Sequence, residues 1–157
     1  LLLVLVACGT PPPTWSPDAG PCMPYTTPGT TDLMTPSISF KSQVMPVFLA
    51  SCASQSCHGL ASSPKGNLFL GAKATDAATV YAGLTKASTQ LPAMPFVTAS
   101  DPTSSYLMHK MDADQCMYET QCTGHNCLQS MPYDTASLGV DTRDVVRRWI
   151  AQGALQN

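Results

Sequence analysis

Seven cysteines constrain this chain more than any other feature, standing at positions 8, 22, 52, 57, 116, 122 and 127 of 157 residues. Reducing compartments seldom keep so many thiols without a metal, whereas exported proteins use them as covalent bridges. The odd total resolves when Cys8 is set aside for another role and Cys52 and Cys57 are taken as a unit. Cys22, Cys116, Cys122 and Cys127 then remain as disulfide candidates, and four cysteines allow three connectivities.

Leu1-Leu2-Leu3-Val4-Leu5-Val6-Ala7-Cys8 reads as the end of an export signal, an apolar run meeting a small residue. The seven apolar residues fall far short of the roughly 20 that a membrane-spanning helix needs. Leu5-Val6-Ala7-Cys8 resembles a bacterial lipobox, which implies lipidation at Cys8 and anchoring to a bacterial membrane. Gly9 is not an acidic retention residue. By analogy with other lipoproteins this points to the outer membrane, with the folded part facing the periplasm or the cell surface. Residues 9–37 hold Pro11-Pro12-Pro13, Pro17, Pro21, Pro24, Pro28 and Pro36 among Thr, Ser and Gly. Such composition continues neither helix nor sheet and reads as an extended tether. The chain divides accordingly into a signal end with lipobox (1–8), a tether (9–37) and one domain (38–157).

Within that domain the apolar spacing is helical. Phe40, Val44, Val47 and Phe48 fall on one helix face between Ser39 and Ala50, with Pro46 predicting a kink or a late start. Residues 59–72 read as loop, and a short helix is expected from Asp76 to Leu84. Asp101-Pro102 reads as a cap with proline in the first turn, opening a helix through Tyr106, Leu107, Met108 and Met111. Asp141-Thr142-Arg143-Asp144 reads as the cap of a last helix whose apolar face is Val145, Val146, Trp149 and Ile150, ended by Gly153. No stretch shows strand alternation, so the expected class is all-α and loop-rich.

Charge excludes one class of partner. Eight basic residues against ten acidic ones, with no basic run, do not make a nucleic-acid surface. The string that carries chemistry is Cys52-Ala53-Ser54-Gln55-Ser56-Cys57-His58. Two thiols can add across the vinyl groups of a haem while the adjacent histidine reaches the iron, the usual spacing being C-x-x-C-H. Here four residues separate the cysteines, so the inner loop must bulge while Cys57 keeps its place beside His58. Gln129-Ser130-Met131-Pro132 offers a thioether, a common second axial ligand in electron-transfer haems.

Together these segments resemble a family. Phe40 and Val44-Met45-Pro46-Val47-Phe48 before Cys52, Cys57-His58-Gly59 are similar to exported cytochrome c-like domains of the myxobacterial and planctomycete type. The resemblance continues through Asp101-Pro102-Thr103-Ser104-Ser105-Tyr106-Leu107-Met108-His109-Lys110, then Met131-Pro132 and Trp149-Ile150-Ala151-Gln152-Gly153-Ala154, covering about residues 38 to 155. It implies one covalent haem c, with thioethers at Cys52 and Cys57, His58 as proximal ligand and Met131 as distal ligand. It further implies a small cytochrome c-like fold whose first and last helices cross beside the haem, Phe40, Val44 and Phe48 packing on Val146, Trp149 and Ile150. The implied activity is single-electron transfer with a redox partner protein. Membrane contact would be through the lipid anchor alone, and there would be no enzymatic reaction. Peroxidase-like chemistry would require an open distal position.

The segment from Gln115 to Cys127 departs from the family, which has a shorter glycine-rich loop there. Cys116, Cys122, His125 and Cys127 carry donors suited to zinc. In an oxidising compartment the expectation is instead a disulfide-stapled insertion, with one local bridge and a second reaching Cys22. His125 and Met94 are weaker distal candidates, and His109 reads as a surface residue. Arg143, Arg147 and Arg148 read as a solvated helix face, or else as partners of a haem propionate. A second reading is a haem-free, disulfide-stapled binding or structural lipoprotein, in which Cys52 and Cys57 pair with each other.

Overall fold

Pro46 decides how the first helix begins. Its ring carries no amide hydrogen and suits only a first turn. In the computed structural model, which describes residues 22–133 and 136–157, helix α1 (Met45–Ser51) starts one residue before it. A π-helical turn over Phe40–Val44 leads in, capped by Ser39, whose hydroxyl accepts the Ser42 amide at 3.3 Å. The late start expected from Pro46 is therefore what the chain adopts, and it brings Phe40, Val44, Met45 and Phe48 fully into the core.

Helix α2 (Ala77–Leu84) follows a 3₁₀ turn whose Asp76 carboxylate accepts the amides of Ala72 and Lys73 at 2.8 and 3.1 Å. The helix expected to run unbroken from Asp101 is split. A 3₁₀ turn spans Pro102–Ser104, Ser105 is extended, and helix α3 covers Tyr106–Asp112. Local side-chain bonds explain the break. Asp101 accepts the Thr103 and Ser104 amides, and the Ser105 hydroxyl accepts the Thr98 amide while donating to the Asp101 carbonyl.

The last helix, α4 (Val140–Ala151), opens at Gly139, so Asp141 lies inside the first turn and does not cap it. Its end follows expectation. Gly153 takes φ of 99°, where a side chain would be strained, and the Gly153 and Ala154 amides return to Ile150 and Trp149 carbonyls. Phe40 meets Trp149 at 5.0 Å between ring centroids, and Tyr81 of α2 stands edge-on to Phe40 at 5.5 Å. The beginning and end of the domain thus share one core with Val44, Phe48, Val146 and Ile150. Among the described residues there is no strand, only an isolated bridge between Ala87 and Pro95. The fold is all-α and loop-rich. No described helix is long and apolar enough to cross a membrane.

Residues 22–37 contain neither helix nor strand and run against the helices. Cys22 is bridged to Cys116, the Tyr25 amide donates to Asp114 at 2.8 Å, and Gln152 donates to the carbonyls of Leu33 and Pro36. Lipidation at Cys8, the signal end and the tether as far as residue 21 lie outside the described residues.

This packing corrects the reading of α4 as presenting a solvated arginine face. Arg143 and Arg147 are 8% and 2% exposed. Both reach Asp112 at the end of α3, and Arg147 also stands 3.3 Å from Asp144. The Tyr25 ring covers both guanidinium groups, at 4.8 and 4.6 Å. Only Arg148 keeps partial exposure, donating from Nε to the Asp32 carbonyl.

Candidate functional site

Helix α1 ends where the cysteine motif begins. The Cys52 and Ala53 amides both return to the Phe48 carbonyl, closing the helix. From there the chain folds on itself: the Cys57 and Gly59 amides donate to the Ser54 carbonyl, and the His58 amide to the Cys52 carbonyl. The bulge expected from the four-residue spacing is thus a hydrogen-bonded loop. It closes so tightly that a Cβ on Gly59 would lie 2.1 Å from the Ala53 carbonyl oxygen. Residues 65–70 then brace the motif from outside, since the Lys65 amide donates to Cys57 and the Leu70 amide to His58.

His58 is buried, and its Nδ1 lies 2.7 Å from the Leu68 carbonyl oxygen. A carbonyl can only accept, so Nδ1 carries the proton and Nε2 keeps the lone pair. Burial pushes the imidazole pKa below its ordinary value. The Leu68 and Lys65 carbonyls work against that shift, and the positive charge of Lys110 adds to it. Cys52 is a free thiol, with its pKa pushed up to about 11 by burial. Cys57 is disulfide-bonded, but not to Cys52, which is free, so the Cys52–Cys57 pair of the haem-free reading is not formed.

All four residues expected to serve a haem lie in the wall of one cavity of about 630 Å³, within the usual range for cofactor sites. Cys52, Cys57 and His58 come from the α1 loop, and Met131 from the segment before α4. Leu68, Leu70, Phe96, Leu107, Met111 and Leu138 make much of the remaining wall apolar. The donor set and the apolar lining fit a tetrapyrrole; the disulfide on Cys57 fits it only once reduced.

The Met131 segment is held from α3 outward. The Met131 amide donates to the Lys110 carbonyl at 2.8 Å. The Lys110 ammonium donates to the Cys127 carbonyl at 2.9 Å and also to that of Gln129. Tyr106 adds its hydroxyl to the Cys127 carbonyl, and Gln115 its amide to that of Leu128. Cys122 and Cys127 form a local disulfide. With Cys22–Cys116, the four candidate cysteines are thus joined as the expected local bridge and the bridge to the leader, leaving no thiolates there for zinc. No group of three or more His, Cys, Asp or Glu side chains that could hold a metal ion occurs among the described residues.

The weaker candidates fall elsewhere. His125 is exposed and bonded to the Thr120 carbonyl, and neither it nor Met94 lines the cavity. His109, expected at the surface, is mostly covered: it bonds Asp114 and the Thr103 carbonyl and meets the Tyr118 ring edge-on. Sequence reasoning missed Lys110 as a cavity residue. Its signal was a lone charge inside the apolar run Tyr106 to Met111, on the helix face of Leu107 and Met111. Compared with known proteins, the chain matches no family model, no curated protein and no solved structure.

Proposed function

We propose that this protein is an electron carrier of a small cytochrome c-like fold, bearing one covalent haem c in the cavity between α1 and the Met131 segment. The observation that carries the reading is the gathering of Cys52, Cys57, His58 and Met131, from two distant parts of the chain, into one largely apolar wall. When bound, the haem supplies an iron that cycles between ferric and ferrous states. Cys52 and Cys57 would tether the macrocycle as thioethers, and Cys57 must be a thiol before that bond can form. His58 would offer Nε2 to the iron, its ring orientation held by the Leu68 carbonyl. Met131 would offer its thioether sulfur as the second ligand, which would raise the reduction potential relative to a second histidine. The apolar side chains of the cavity wall would limit water around the group and so favour its less charged ferrous state.

The reading extends to cellular place: export, a lipid on Cys8 and a domain facing the periplasm or cell surface, serving a redox partner protein. A haem-free, disulfide-stapled binding or structural lipoprotein is the second reading, supported by the Cys22–Cys116 and Cys122–Cys127 bridges, although the Cys52–Cys57 pair it called for is absent because Cys52 is free. Visible spectra of oxidised and dithionite-reduced protein, exported alongside haem-attachment machinery and then denatured, decide between them. Sharp reduced bands that stay with the unfolded chain support the carrier. A colourless chain leaves the second reading.

A further inference from the structure

Lys110 is a cation buried to 8% exposure in the wall of the same cavity. The other buried lysine or arginine side chains, Arg143 and Arg147, share the carboxylate of Asp112. Lys110 has none within ion-pair distance among the described residues. Burial pushes its pKa down to about 8 and the charge of Glu119 opposes that shift, but the Glu119 carboxylate is turned to the Cys127 amide at 3.1 Å. An ammonium group has three N–H donors. Two go to the carbonyls of Cys127 and Gln129, and the ammonium also lies 5.9 Å from the Tyr106 ring centroid, which leaves one donor without a hydrogen-bond partner among the described residues and no carboxylate against the charge. A buried charge without a counter-ion is unfavourable, and an occupant that supplies the opposite sign relieves it.

We infer that the cavity is built for an occupant with an apolar body and a carboxylate, and that Lys110 is the residue that binds the carboxylate. This deepens the haem reading, under which the carboxylate is a propionate, but it does not depend on covalent attachment. Lys65 also reaches the cavity wall, but it is exposed and serves at the rim.

The alternative role for Lys110 is purely structural, as a clamp on the carbonyls before Met131. Lys110→Gln separates the two, because an amide still donates to carbonyls but carries no charge. The haem-free full chain is titrated with protoporphyrin IX and with its dimethyl ester, followed by quenching of tryptophan fluorescence. The wild-type chain should prefer the acid by about tenfold or more, the worth of one charge-assisted hydrogen bond. Lys110→Gln should bind the two about equally, and Lys110→Arg should restore the preference. Equal binding by the wild-type chain, or a preference surviving in Lys110→Gln, overturns the inference. If the haem-free chain takes up neither porphyrin, the same variants are compared with covalent haem by infrared titration of the propionates. Lys110→Gln should then move one propionate to higher pH, and an unmoved titration overturns the inference. A chain that neither attaches haem nor binds either porphyrin overturns it as well. Acid preference without covalent haem upholds Lys110 and sinks the carrier reading. Covalent haem with no effect at Lys110 does the reverse.

Discussion

The Nδ1–H of His58 donates to the main-chain carbonyl of Leu68 at 2.7 Å, across a loop that returns to the cysteine motif through two further main-chain bonds. A neutral imidazole has one proton, so this contact selects the tautomer and aims the ring with no carboxylate involved. The expected observation, in ¹⁵N–¹H spectra of the haem-free chain, is a single His58 tautomer protonated on Nδ1 and slow to exchange. An average of both tautomers would mean that the ring is not pre-oriented.

Gly59 follows directly and tolerates no substituent. A Cβ there would meet the Ala53 carbonyl oxygen at 2.1 Å and the Ser54 carbonyl oxygen at 2.9 Å, and both are main-chain atoms that cannot swing aside. Gly59→Ala should therefore destabilise the chain by about 2 kcal/mol or more, by forcing the loop open. Under the haem reading it should also lower the yield of attached haem. Urea unfolding and haem content per chain check the two effects separately. An alanine variant of unchanged stability would mean that the loop has another closed form.

Asp112 holds two arginines. Its carboxylate receives Arg143 at 2.5 Å and Arg147 at 2.8 Å, with both guanidinium groups shielded by Tyr25. Replacing it by alanine leaves two buried cations with only Asp144 nearby, a loss expected at about 3–5 kcal/mol. Thermal or denaturant unfolding of Asp112→Ala measures this directly. A change under 1 kcal/mol, roughly the value of an exposed pair, would show that water reaches the cluster.

That cluster marks where sequence reading stopped. Val146, Trp149 and Ile150 announce a buried face because apolar residues three and four apart share one side of a helix. Arg143 and Arg147 have the same spacing, yet charge makes them read as solvated. What covers them is Tyr25, from a proline-rich leader with no periodicity that a disulfide joins to a segment 94 residues away. At the cavity the division is similar. Cys52, Cys57, His58 and Met131 were legible because their chemistry is rare and their order informative. The Leu68 carbonyl was not, being a main-chain atom, and Lys110 was hidden by the convention that lysines face water. The break at Ser105, between the 3₁₀ turn and α3, was invisible too, since hydroxyl bonds to nearby main chain leave no periodic trace.

His109 predicts a pH dependence. Its Nδ1 stands 2.8 Å from Asp114 and its Nε2 2.9 Å from the Thr103 carbonyl, so only the doubly protonated ring satisfies both. Burial opposes that charge. The hydrogen bonds to Asp114 and Thr103, with the charges of Asp114 and Asp112, outweigh it and raise the pKa above 6.5. A raised folded-state value means that the native chain binds the proton more tightly than the unfolded one. The stabilisation is complete below the unfolded value and is lost as pH rises through the folded one. Urea midpoints should therefore fall across that window, and His109→Gln should flatten the slope. An identical slope in the variant would assign the dependence to another group.

The Cys22–Cys116 bridge spans 94 residues of sequence and carries the leader onto the folded part. Closing so long a loop restricts the unfolded chain. Removing the bridge with Cys22→Ser and Cys116→Ser together should cost about 2–4 kcal/mol. Part of that loss should pass through Tyr25, which lies three residues beyond the bridge and whose amide is held by Asp114. Without the bridge the ring should leave Arg143 and Arg147 more often, admitting water to the Asp112 pairs and weakening the case for their burial. The disulfide and Asp112 should therefore be coupled. The double serine variant combined with Asp112→Ala should be less destabilised than the sum of the two changes, by about 0.5 kcal/mol or more. Additive losses would show that the leader keeps its place through Asp32, Leu33 and Pro36 alone, and that the bridge acts only on the unfolded chain.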